Sequence, residues 1–66
     1  MGNLNDLYAE RRRLLAEIGE LYNCYENTYF DSVDKVVLLG AIIALRQYLC
    51  EVQKQIVQQL MEQHYF

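Results

Sequence analysis

Val36-Val37-Leu38-Leu39-Gly40-Ala41-Ile42-Ile43-Ala44-Leu45 is the stretch on which the fold turns. Its Val and Ile content suits a buried strand, and Gly40 could mark a turn within it. The flanks decide against a strand. Apolar residues continue at helical spacing through Leu49, Val52, Ile56 and Val57, and nothing else in the chain offers a strand to pair with. No proline or turn cluster intervenes before the end of the chain. The expectation is one long helix over residues 33–63.

Sorted in sevens, this helix has three apolar columns: Leu38/Leu45/Val52, Ile42/Leu49/Ile56 and Val36/Ile43/Cys50/Val57. In its first half Val37, Leu39, Ala41 and Ala44 fill most of the remaining faces, the pattern of a helix surrounded on more than one side. Its second half is amphipathic, with Gln47, Glu51, Gln53, Lys54, Gln55, Gln58, Gln59 and Glu62 outside. Asp31 or Ser32 can cap its start, and Asp34 is favourable in its first turn.

Residues 4–29 read the same way. The columns Leu4/Arg11/Ile18/Tyr25, Leu7/Leu14/Leu21/Thr28 and Tyr8/Leu15/Tyr22/Tyr29 are apolar except at Arg11 and Thr28. Asn3 can cap this first helix together with Asp6, and Arg13 can pair with Glu10 and Glu17 on the wet face. A bend over residues 30–32 makes the two helices antiparallel neighbours. The expected fold is therefore an all-α, two-helix antiparallel hairpin forming a single domain over residues 1–66. Residues level with one another then have numbers adding to about 61. Arg11 falls level with Cys50 and Glu51, Gly19 with Ile42, and Gly40 with Leu21 and Tyr22. Cys24 and Cys50 are offset by thirteen residues, roughly 20 Å, so no intramolecular disulfide is expected.

Two helices in contact each hide a narrow stripe, whereas both of these carry faces three columns wide. The surplus calls for a helical bundle completed by self-association or by another helical protein. The surplus is richest near the bend, which nominates Val36, Val37, Leu39, Ile43 and Cys50 on the second helix. On the first it nominates Tyr22, Tyr25 and Tyr29, since tyrosine combines a large rigid contact area with a polar tip. The same tyrosines can also simply edge the hairpin core. Arg11 interrupts an apolar column. It can pair with Glu51 and set register, reach an acid on a partner, or extend to solvent.

Composition narrows the function classes. The chain has 53% hydrophobic residues, too many for disorder, and a net charge of −3 that disfavours a nucleic-acid binder. Arg11-Arg12-Arg13 points in directions about 100° apart on a helix and makes no basic patch. The uncharged run between Lys35 and Arg46 is about half a bilayer span, and Met1–Asp6 resembles no secretory leader. A cytoplasmic protein with no membrane contact is expected. Cys24 and Cys50 read as small packing residues, and His64 stands near the chain end without metal-ligand spacing around it. No nucleophile–base pair, phosphate loop or carboxylate cluster is present, so neither catalysis nor a cofactor nor a metal is expected.

In outline the chain resembles small bacterial helical hairpins. One such family is the aspartyl-phosphate phosphatases whose second helix carries a Ser-Gln-Glu-Leu-Asp motif. The corresponding stretch here is Leu39-Gly40-Ala41-Ile42-Ile43-Ala44, without that motif's polar residues. Phosphatase or phosphotransfer-modulating activity is what that resemblance implies as an alternative. Size, acidity and layout are also similar to the small co-chaperones of type III secretion needle proteins and to phage-encoded inhibitors. These imply an adaptor, co-chaperone or inhibitor role.

Overall fold

A computed structural model describes residues 3–27 and 31–63 of the chain. It consists of α1 (Leu4–Tyr25) and α2 (Ser32–Gln63), packed against each other as a hairpin about 54 Å long. The strand alternative for residues 36–45 is excluded, because α2 runs through them without a break.

Side-chain caps start both helices. The Asn3 Oδ1 accepts a hydrogen bond from the Asp6 amide at 3.0 Å, and the Leu7 amide donates to the Asn3 carbonyl at 3.1 Å. At the start of α2 the cap is Asp31: its Oδ1 accepts from the Asp34 amide at 2.8 Å, and its carbonyl from the Lys35 amide at 3.0 Å. Each cap satisfies amides that have no partner within the helix.

α1 ends at Tyr25, earlier than the expected residue 29. The Glu26 amide donates to the Tyr22 carbonyl, and the Asn27 amide to the Cys24 carbonyl, both at 3.0 Å. The second of these is a three-residue closure, the tightened last turn in which helices commonly finish. Asn27 suits the exit, since asparagine favours turns over helix interiors. Residues 28–30, with the nominated Tyr29 and the first residue of the expected bend, lie outside the described residues, and α2 already begins at Ser32, within that bend.

The seam between the helices is built from two columns of each. Leu7, Leu14, Val52 and Ile56 form the buried cluster, and Leu4, Tyr8, Leu45, Leu49 and Leu60 pack around it. Nearer the bend, Ile18 and Ile42 are also buried. The principal cluster thus sits toward the open end of the hairpin. Both thiols are free, as their offset requires.

Gly19 and Gly40 do not serve the packing. A Cβ at either position would meet nothing within 4 Å, so Gly40 accommodates no bulky neighbour such as Tyr22 within the hairpin. Both lie inside helices and are exposed. Glycine there costs about 1 kcal/mol relative to alanine. Gly19→Ala is therefore expected to raise the thermal midpoint by about 4–8 °C at fixed protein concentration. A midpoint that falls in circular dichroism melts would show a close approach at that face.

Candidate functional site

The hairpin has two long edges, where side chains flanking the seam on α1 meet those flanking it on α2. They differ in chemistry. On one edge the Arg13 guanidinium clasps two carboxylates of its own helix. Its Nη2 lies 2.6 Å from Glu10 Oε2, its Nε donates to Glu10 Oε1 at 3.2 Å, and its Nη1 pairs with Glu17. The Tyr48 hydroxyl, on α2, adds a smaller favourable interaction with the Glu10 carboxylate. These contacts hold the Glu10 carboxyl below its ordinary value of 4.5. The Arg13 hydrogen bonds do most, its charge and Tyr48 add to them, and partial desolvation opposes them.

The other edge is apolar and carries the third column of both helices. Tyr8 shares a shallow groove with Arg11, Gln53, Ile56 and Val57. Farther along, Arg46 Nη1 donates a long 3.4 Å hydrogen bond to the Tyr22 hydroxyl, bringing the Tyr22 column beside α2. Two further shallow grooves continue on α2. One is lined by Ile43, Arg46, Gln47 and Cys50, the other by Cys50, Gln53, Lys54 and Val57. Exposure marks the column as surplus: Leu15, Tyr22, Val36, Ile43, Cys50 and Val57 are all exposed, with Ile43 at 49%. Helical geometry explains this. Residues seven apart share a line on the surface, and a single neighbouring helix covers about two such lines.

The nominated residues divide. Val36, Ile43, Cys50 and Tyr22 lie along the apolar edge, and Leu39 is exposed one helical turn from Ile43 and Val36. Val37 is 67% exposed but lies a further 100° round α2, so it extends the apolar surface without facing the groove. Tyr25 is half-buried, and the Lys35 Nζ stands 5.6 Å from its ring centroid. Its ring thus serves a cation–π contact within the hairpin, not an open face. Arg11 and Glu51 make no ion pair; Arg11 turns into the groove beside Tyr8, while Glu51 is exposed on a different face of α2. The register-setting pair is thus not formed, because a residue within the seam column and one outside it do not meet.

Several edge residues escaped the sequence reading. Tyr8, Leu15 and Val57 were visible as column members, but nothing in the spacing said which column two helices would leave uncovered. In the sequence Lys54 is an ordinary outer charge and Arg46 only the end of the uncharged run. Their place beside the groove depends on the rotation of α2 about its own axis.

The uncovered surface is large. The protein exposes 5210 Å², whereas a compact monomer of its 7.8 kDa mass would expose roughly 4,400 Å². The excess, about 800 Å², reflects the elongated shape of a two-helix hairpin, 54 Å long and 15–17 Å across. α2 is also long and apolar enough to cross a membrane by length and composition alone. Among the described residues no group of three or more His, Cys, Asp or Glu side chains lies close enough to hold a metal ion. His64 falls outside them.

No family model, curated protein or solved structure matches the chain.

The Glu10 contacts imply a pH dependence with a definite sign. A carboxyl whose folded value is depressed stabilises the fold fully above its unfolded value and loses that contribution as pH falls through the folded one. The midpoint difference between the native chain and Glu10→Gln should be constant above about pH 5 and shrink on acidification below it. Melts at stepped pH measure it, and a difference independent of pH would mean that the Arg13 contacts do not hold the Glu10 carboxyl down.

Proposed function

We propose that this chain is a small, non-enzymatic helical interaction module that works by covering its apolar edge with a further helix. The observation that carries this reading is the exposed third column, Val36/Ile43/Cys50/Val57 on α2, lying on the same edge as Tyr8, Leu15 and Tyr22 of α1. Contiguous apolar surface of this extent is uncommon on monomers that act alone. An amphipathic helix laid in the groove would complete a three- or four-helix arrangement, with Tyr8 and Tyr22 as rigid anchors along one side. The helix is supplied by a second copy of this chain or by another protein. An adaptor, co-chaperone or inhibitor works through such a contact.

Lateral association accounts for the apolar surface of α2 better than insertion into a bilayer does. Arg46, Gln47 and Glu51 follow directly on its apolar run, and charges within hydrocarbon are expensive. Free thiols in a small hairpin fit the reducing cytoplasm, where we place the protein.

Light scattering over a dilution series, with helicity followed in parallel, tests the reading. A 66-residue hairpin with an uncovered edge should lose helicity on dilution or melt at low temperature when alone. Ile43→Asp should weaken association by at least about tenfold, and Gln58→Asp by less than about threefold. A thermally robust monomer, fully helical at nanomolar concentration, would overturn the proposal, as would equal effects of the two substitutions.

A further inference from the structure

Charge along the apolar edge says which kind of helix it takes. The three groove segments are lined by Arg11, Arg46 and Lys54, and by no carboxylate. This occurs in a chain with nine Asp and Glu against six Lys and Arg. Two of the carboxylates, Glu10 and Glu17, are gathered with Arg13 on the opposite edge. None of Arg11, Arg46 and Lys54 has an ion-pair partner among the described residues.

We infer that the edge receives an amphipathic helix of a different protein, one whose apolar stripe is flanked by carboxylates. This rests on the reading of the edge as a contact surface and adds the chemistry of the occupant. A second copy is disfavoured by symmetry. A twofold contact sets the same patch against itself, so a patch bearing only cations meets only cations. An acidic helix instead meets Arg46 and Lys54, which lie eight residues or about 12 Å apart along α2 and so select carboxylates roughly two turns apart. Gln47 and Gln53, set among the apolar groups, offer hydrogen bonds that a peptide helix can return and lipid tails cannot.

The test titrates the full-length chain with synthetic helical peptides of about twenty residues that share one leucine stripe. One is flanked by Glu and its twin by Lys. Vesicles of phosphatidylglycerol and of phosphatidylcholine are titrated alongside, and sedimentation follows self-association. The Glu peptide should bind at least about tenfold tighter than its twin at low salt, with the preference shrinking as salt is added. Arg46→Glu combined with Lys54→Glu should invert the order. Neutral Ile43→Gln, at an exposed position that leaves helicity intact, should weaken the Glu peptide.

Equal affinities for the two peptides would overturn the inference. So would a dimer that is tighter than the peptide complex and weakened by Ile43→Gln, and so would binding to phosphatidylglycerol vesicles with none to peptides. The first two results leave the edge as a helix-contact surface, whereas vesicle binding alone would overturn that reading as well. Peptide binding indifferent to Ile43→Gln would instead remove the edge itself and the inference with it.

Discussion

A helix that touches one neighbour can bury about two lines of side chains, and everything distinctive about this protein follows from that limit. Each helix carries three apolar lines. Leu7, Leu14, Val52 and Ile56 close the seam with the leucines around them, and a third line on each helix is left over. The leftover lines fall on one edge, as the Tyr22–Arg46 contact and the Tyr8–Val57 groove show. Had they fallen on opposite edges, each would be a single scattered row of the sort any soluble protein tolerates. Side by side they make one surface.

The same rotation of the helices separates the charges. Arg13 spends its donors on Glu10 and Glu17 within its own helix. Such exposed pairs add little stability, but they neutralise one edge. The cations left without acids, Arg11, Arg46 and Lys54, border the apolar edge. An overall acidic chain thereby presents a locally basic apolar edge, which net charge alone conceals. Electrostatics of this kind contributes more to partner choice and encounter rate than to affinity.

Toward the bend the protein is under-packed. Ile18 and Ile42 are buried there, while Val33, Val36 and Val37 remain mostly exposed. The early end of α1 at Tyr25 contributes, since α2 begins at Ser32 with less of α1 beside it than a helix to residue 29 would have supplied. Gly40, with open space where a Cβ would stand, belongs to the same uncovered region. The apolar edge and the bare start of α2 form the part of the hairpin least completed by its own residues.

Periodicity, caps and the absence of proline determined the two helices, their antiparallel pairing, the Asn3 cap, a cap at Asp31 or Ser32, the Arg13 pairs and the separation of the thiols. These depend on contacts within a few residues or on axial distance, and both are read directly from spacing. Spacing also exposed the surplus of apolar columns. It did not say which columns would be uncovered, that they would share an edge, or that Tyr25 would sit beneath Lys35 and Arg11 apart from Glu51. Those outcomes depend on how far each helix is turned about its own axis. Near neighbours do not fix that angle; the joint packing of both helices does, so the tertiary structure alone decided which apolar face is left uncovered.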